Sequence, residues 1–240
     1  MTLLEHLAEL RTRLIRSLLA IAVGGVVCWL LYPRVLSDVL LEPLCTVRPD
    51  SCRLVITDPT QGLSARLWVA SYGGVALAMP VILWQTWRFV TPGLYPNERR
   101  IAVGFLTSAI VLFAAGAVLA YLTLPRALDF LIGVGGPVEA FFTPDSYIKL
   151  VVFLMIAFGV GFEFPVLLVF LQMVDVLQAD TLRSWRRQAM VLIVAVVAFI
   201  TPSGDPYTLL ALSIPMYAFY EGSILFGVLR DRRRRRGGRK

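Results

Sequence analysis

Charged residues are scarce in this chain of 240 residues. Asp, Glu, Lys and Arg make up 16% of it, whereas about 25% is usual in soluble domains. Hydrophobic residues reach 58%, and the mean hydropathy is +0.74. A soluble core of this size cannot hide such an excess. The composition therefore excludes a water-soluble globular enzyme, a disordered chain and a disulfide-stapled small protein, and it leaves a polytopic membrane protein.

Side chains for acid–base chemistry are equally scarce. The chain has one histidine, His6, and two lysines, Lys149 and Lys240. It contains no His-Glu-x-x-His, Gly-x-Ser-x-Gly or Walker sequence. Few candidates remain for a general acid or base. We therefore expect a protein that is not an enzyme and that carries no cofactor.

Only three cysteines occur. Cys28 lies inside the first apolar segment, where we expect an inert, packed thiol. Cys45 and Cys52 lie in the following loop with six residues between them, so a local disulfide and two free thiols both remain open. Two thiols without a nearby histidine fall short of tetrahedral ligation, so we expect no metal site.

Six apolar segments of helical length are bounded by charges or by Pro, Gly and Asp clusters. They cover residues 15–32, 67–90, 101–124, 148–174, 189–202 and 209–229. Because they lack the alternation of barrel strands, we predict an all-α integral membrane protein of one domain with six transmembrane helices. The first segment lacks a small-residue cleavage site and is predicted to be a retained helix. The fifth is short, so we expect it to thin the bilayer or to cross it incompletely.

Arginine and lysine are distributed unevenly over the predicted loops. If both termini share one side, that side holds most of the 23 basic residues, including those of the tail 230–240. Cytoplasmic loops carry such an excess, so we predict that both termini are cytoplasmic. The polybasic tail is interpreted as an anchor on anionic membrane lipid. No aromatic residues interleave with it, so we expect no nucleic-acid partner.

Glu163 is a carboxylate well inside the fourth apolar segment, where a charge is costly. Pro165 follows it, removes a backbone donor and can bend the helix. Glu163 either orders the bundle or provides a polar docking point for another helix or a substrate, and we favour docking. A small-molecule or ion transporter with Glu163 as its site is the alternative. That alternative predicts an inverted repeat and further midplane polar residues, and the sequence shows neither.

Two further carboxylates lie on the predicted cytoplasmic side. Glu9 belongs to an amphipathic helix start and can pair with Arg13 four residues on. Glu98 follows a Pro-rich loop and opens the next helix, where negative charge is favourable. On one rigid surface, each carboxylate can bind a guanidinium in bidentate fashion. The pair therefore suits a ligand with two adjacent arginines.

Several motifs, in order along the chain, resemble the TatC family, the multispanning receptor subunit of the twin-arginine protein translocase. They are His6-Leu7…Glu9-Leu10-Arg11…Arg13-Leu14, Pro92-Gly93-Leu94-Tyr95…Glu98-Arg99, Phe158-Gly159…Phe162-Glu163…Pro165-Val166, Thr201-Pro202…Asp205-Pro206 and Ile214-Pro215-Met216…Tyr220-Glu221. The resemblance implies six helices in a concave, glove-like bundle in the bacterial cytoplasmic (inner) membrane. It also implies export of folded proteins driven by the proton-motive force.

The resemblance implies roles for individual residues. Glu9 and Glu98 would recognise the arginine pair of twin-arginine signal peptides. The supporting positions would be Arg11, Arg13, Phe89, Leu94, Arg99 and Arg100. Glu163 would face the concave side, where single-span TatA/TatB-type partners dock within an assembly that holds several copies of the chain. Asp205 matches a further position of functional interest, whereas Leu209 stands where many members carry a glutamine.

Overall fold

The computed structural model describes residues 3–49, 52–90, 99–135, 141–201 and 204–237, and within these ranges every regular element is a helix. In chain order the elements are α1 (Leu3–Val35), a π-helix (Leu36–Leu40), α2 (Glu42–Val47), α3 (Gln61–Val90), α4 (Arg99–Val134), α5 (Pro144–Gly161), α6 (Phe164–Met173), α7 (Ala179–Ser184), α8 (Arg186–Ile200) and α9 (Pro206–Gly237). The predicted all-α class is confirmed.

Five helical stretches in the described ranges are long and apolar enough to cross a membrane. They are Glu5–Val47, Gln61–Phe89, Gly104–Val134, Pro144–Met173 and Pro206–Arg232. The fifth predicted segment lies in α8, which has 15 residues and is not among these five. At about 1.5 Å per residue, α8 is roughly 22 Å long, shorter than a hydrocarbon core of about 30 Å.

Glycines bring the backbones of α1 and α3 into close contact. A Cβ atom added to Gly74 would lie 2.8 Å from the nitrogen of Gly25 and 2.8 Å from the carbonyl oxygen of Ile21. One added to Gly24 would lie 2.9 Å from the carbonyl oxygen of Gly74. Small residues allow such close approach between membrane helices. The glycines therefore fix the register of the two helices.

The fourth apolar segment is broken at Glu163, between α5 and α6. Pro165 has no N–H to donate, and it lies in the first turn of α6. The amide of Glu163 bonds to the carbonyl of Val160, only three residues back, at 3.0 Å. The break agrees with the expected effect of Pro165. It leaves the carboxylate at an interruption of the helix rather than along a regular helical face.

The π-helix and α2 fold over α4 and α5 at one end of the bundle. The hydroxyl of Tyr147 is buried and donates to the carbonyl of Leu40 at 2.6 Å. The hydroxyl of Tyr121 donates to Glu42 Oε2 at 2.6 Å. Cys45 and Cys52 are joined by a disulfide, with Cα atoms 4.8 Å apart. We call this end the disulfide end.

The opposite end holds the first turns of α1 and the last turns of α3, α6 and α9. Arg230 on α9 donates to the carbonyls of Gln172 and Met173 at the end of α6, the latter at 2.9 Å. The buried hydroxyl of Tyr220 donates to the carbonyl of Leu182 on α7 at 2.6 Å. We call this end the arginine-rich end. Arg230, assigned to the tail by the sequence, is therefore also part of the packed fold.

Candidate functional site

The first turns of α1 lie against the last turns of α3 in antiparallel register. The His6 ring stacks on the Phe89 ring with centroids 4.4 Å apart. Seven residues after His6, Arg13 Nη1 donates to the main-chain oxygen of Gln85, which lies four residues before Phe89, at 3.3 Å. Glu9 lies on α1 between these two contacts. We call these five residues the α1–α3 site.

Glu9 and Arg13 form an ion pair within α1. Arg13 Nε donates to Glu9 Oε1 at 3.1 Å, and Nη2 contacts the same oxygen. The other oxygen, Glu9 Oε2, is buried and accepts no hydrogen bond from the described residues. The Arg13 side chain is 11% exposed and that of Glu9 is 24% exposed. The pair is therefore packed into the helix interface, and among the described residues only one of the two carboxylate oxygens is paired.

The structure brings together only some of the residues predicted for signal-peptide binding. Glu9, Arg13 and Phe89 meet in the α1–α3 site, whereas Arg11 is exposed on α1. The remaining residues of that prediction lie outside the described part of the chain: Leu94 and Glu98 entirely, and Arg99 and Arg100 in their side chains.

A second feature is an apolar pocket of ≈ 460 Å³ between α3, α4 and the α5–α6 break. Glu163 lines it, and Glu163 Oε1 is buried without a hydrogen-bond partner among the described residues. Its far wall is aromatic: Trp87 stacks on Phe105 with centroids 4.9 Å apart, and Phe170 meets Trp87 edge-on. We call this the Glu163 pocket.

The last turns of α3 contribute residues to both the α1–α3 site and the Glu163 pocket. Gln85 and Phe89, four residues apart, lie on the face that contacts α1. Trp87 lies between them in sequence and faces the Glu163 pocket. A helix turns by about 100° per residue, so side chains two positions apart lie on nearly opposite faces. One short stretch of α3 therefore separates the α1–α3 site from the pocket.

Asp205 caps the start of α9. Its carboxylate is fully buried, accepts from the amide of Thr208 at 2.7 Å and accepts from the Thr208 hydroxyl at 2.5 Å. Pro206 occupies the first helical position, where a missing N–H costs nothing. These contacts explain Asp205 through helix capping. Leu209, the departure from the family pattern, packs against the hydrophobic core.

Two residues of the α1–α3 site were not among the predicted site residues. His6 is the single histidine and begins the first family motif, but the resemblance assigns it no role, and Gln85 lies outside the motifs. Gln85 precedes Phe89 by four residues, so the helical spacing placed both on one face of α3. That spacing was the available signal. Within the described ranges, no group of three or more His, Cys, Asp or Glu side chains could hold a metal ion.

Comparison with known proteins identifies the family. The family model described as Sec-independent protein translocase protein (TatC) matches residues 5–215. A Sec-independent protein translocase protein TatC from Frankia casuarinae is 39% identical over 250 residues, which cover 99% of this chain and 68% of that protein. The TatC protein from Aquifex aeolicus is 36% identical, with 98% of both chains covered.

Solved structures agree with the sequence relatives. A crystal structure of the twin-arginine translocase receptor TatC in DDM superposes with a TM-score of 0.80 at 36% identity. The match covers 92% of this chain and 99% of that one. The sequence relatives and the solved structures thus indicate the same family over nearly the whole length of the chain. The chain belongs to the TatC family of Sec-independent protein translocase proteins.

Proposed function

We propose that this chain is the receptor that binds twin-arginine signal peptides of folded cargo at the bacterial cytoplasmic membrane. The observation that carries the proposal is the α1–α3 site. There, a carboxylate that already binds one guanidinium, that of Arg13, keeps a second oxygen that accepts no hydrogen bond from the described residues. A buried acceptor without a donor is unfavourable. A ligand that supplies the donor recovers that free energy on binding.

Arginine suits this acceptor better than lysine does. A guanidinium presents five N–H donors in a planar fork, whereas an ammonium is a compact, strongly hydrated point charge. In the proposed complex, Glu9 and Glu98 each bind one arginine of the signal peptide. Arg13 holds Glu9 in place, since it joins Glu9 Oε1 to the main chain of α3.

The Glu163 pocket is the proposed binding place for the apolar stretch that follows the arginines. Its lining is almost entirely apolar or aromatic, and it lies on the other face of the α3 turns that form the α1–α3 site. Burial of apolar surface contributes roughly 25 cal/mol per Å². A peptide bound at both places would follow the end of α3 into the membrane.

Later steps involve partners. We propose that TatA/TatB-type single-span subunits dock near Glu163, whose Oε1, without a partner among the described residues, can select a helix that carries a polar donor. Several copies of the chain would act in such an assembly, with export driven by the proton-motive force. Both termini would lie in the cytoplasm, and the basic tail would contact anionic lipid.

The short helix α8 has a proposed role in passage of the cargo. Among the described elements it packs against α9 and α7, and Phe199 near its end is 92% exposed. A helix shorter than the hydrocarbon core thins the bilayer around it. If thinning assists transport, lengthening α8 by one apolar turn will slow export. Export at the unchanged rate would contradict this role.

The test of the receptor function is peptide binding to the purified chain in detergent. Labelled peptides with an Arg-Arg pair and an apolar stretch are compared with Lys-Lys versions of the same sequence. We expect at least a tenfold preference for Arg-Arg, about 1.4 kcal/mol, and its loss in Glu9→Ala and Glu98→Ala. Asp180→Ala removes an exposed carboxylate on α7 and serves as the control. Equal binding of both peptides to the wild type would refute arginine recognition.

A further inference from the structure

The α1–α3 site contains a second unpaired acceptor besides Glu9 Oε2. Gln85 Oε1 is buried and accepts no hydrogen bond from the part of the chain that the structure describes. Buried polar atoms are paired in the great majority of cases, so two orphaned oxygens in one small site need an explanation. Both atoms are acceptors, and both therefore require a donor.

The two acceptors belong to neighbouring groups on facing helices. The guanidinium of Arg13 contacts Glu9 Oε1 on α1 and the main-chain oxygen of Gln85 on α3. One planar group of a few ångströms thus touches both residues. Each residue offers a second oxygen that Arg13 leaves unpaired, namely Glu9 Oε2 and Gln85 Oε1.

Charge alone does not explain selection of arginine at this place. The Arg13 guanidinium already balances the negative charge of Glu9, and the exposed Arg88 on α3 adds positive charge nearby. A second cation therefore gains less from Glu9 than it would from an isolated carboxylate. Hydrogen-bond geometry therefore contributes to selectivity, and a neutral acceptor such as an amide oxygen can take part in it.

We propose that Gln85 is a specificity-determining residue of the receptor: its side-chain oxygen and Glu9 Oε2 together accept the N–H donors of one signal-peptide arginine, beside Arg13. The inference rests on the proposed receptor function and adds a residue to it. A guanidinium presents its N–H donors in a planar fork and can bond to two acceptors at once. A lysine ammonium is a compact, strongly hydrated point charge without this planar fork.

The structure offers a clean variant for the test. Arg13 bonds to the main-chain oxygen of Gln85, so a change of the side chain leaves that contact in place. Gln85→Met keeps the approximate length of the side chain and removes its acceptor. Gln85→Glu keeps an acceptor and adds charge. Gln178→Met makes the same change at an exposed glutamine before α7 and serves as the matched control.

The experiment measures Kd values for the Arg-Arg and Lys-Lys peptides with each variant, together with the thermal unfolding temperature. We expect Gln85→Met to weaken Arg-Arg binding by about tenfold while Lys-Lys binding changes less than twofold, because only the fork loses its second acceptor. Gln85→Glu should keep the Arg-Arg preference. Gln178→Met should behave like the wild type.

Three results would overturn the inference, and they separate it from the receptor function. If Gln85→Met keeps the full Arg-Arg preference, Gln85 is not an acceptor, while the receptor function stands. If both peptides lose affinity equally, Gln85 acts through packing rather than through arginine. If the wild type shows no preference at all, the receptor function itself fails, and the role of Gln85 fails with it.

Discussion

Arg66 on α3 donates two hydrogen bonds to the main-chain oxygen of Trp29 on α1, from Nη2 at 2.9 Å and from Nε at 3.2 Å. Pro33 lies four residues after Trp29 and has no N–H, so that oxygen lacks its helical donor. The guanidinium also stacks over the Trp29 ring, 4.3 Å from its centroid. Arg66 thus replaces the missing amide and ties α1 to α3.

Loss of this replacement should destabilise the protein. Hydrogen bonds from a charged donor are worth about 1.5–3 kcal/mol, so Arg66→Met should lower the unfolding free energy by that amount. Arg66→Lys should fall between, because an ammonium lacks the fork. The measurement is thermal unfolding in one detergent, with Arg53→Met, an exposed arginine, as control. Equal unfolding temperatures for Arg66→Met and wild type would contradict this account.

Gly74→Ala should separate α1 from α3. The added Cβ would meet backbone atoms at 2.8 Å, which cannot move aside as a flexible side chain can. Overpacking of this kind typically costs about 1–3 kcal/mol. Arg-Arg peptide binding should weaken as well, since the α1–α3 site depends on the helix register. Gly62→Ala at the start of α3 has nothing within 4 Å of the added Cβ and should change neither property.

Asp205 should matter for stability through its cap. Asp205→Ala removes the acceptors for the Thr208 amide and hydroxyl, so we expect a loss of about 0.5–2 kcal/mol. Asp205→Asn keeps an acceptor and should recover most of that loss. Thermal unfolding and export are measured on the same variants. Export that fails in Asp205→Ala at an unchanged unfolding temperature would show a role beyond capping.

Replacement of Glu163 should lower export without lowering stability. Glu163→Leu removes a buried oxygen without a partner among the described residues, so the unfolding temperature should stay the same or rise by about 2–4 °C. Export in cells should nevertheless fall, because the partner helix loses its polar contact. Glu163→Gln, which keeps an acceptor, should fall between. A strongly lowered unfolding temperature in Glu163→Leu would instead assign Glu163 to bundle stability.

Short sequence patterns were sufficient to predict helix breaks and helix ends where proline or glycine affects the residues next to it. Pro165 indicated a bend, and the helix is broken at Glu163. The turn cluster after the fifth segment agrees with the end of α8 at Ile200 and the start of α9 at Pro206. Proline changes the hydrogen bonding of residues within one turn, so its effect needs no knowledge of the fold.

Contacts between residues that are distant in the chain could not be predicted from such local patterns. The predicted first segment stops at residue 32, yet α1 continues through Pro33 to Val35. The donor that replaces the Pro33 amide is Arg66, which is 37 residues from Trp29 in the chain. Gln85 is an ordinary polar residue in the sequence, and only the folded structure shows that its side-chain oxygen is buried without a hydrogen bond from the described residues.

The Glu9–Arg13 pair could be predicted from the sequence, because the two residues are spaced by one helical turn. The sequence alone could not show that the pair occupies one oxygen only, since this depends on the contact of Arg13 with α3. Comparison with relatives supports a translocase component over a small-molecule transporter. It leaves the roles of the single residues to the experiments above.

The contact of Arg230 with α6 has a consequence for biosynthesis. Arg230, which donates to the carbonyls of Gln172 and Met173, lies 58 and 57 positions later in the chain than these residues. The backbone oxygen of Ser223, which accepts from the Gln172 side chain at 2.9 Å, also emerges late. While the ribosome is still making α8, the end of α6 therefore lacks these partners. The nascent protein completes its packing only when the last span has been delivered to the membrane.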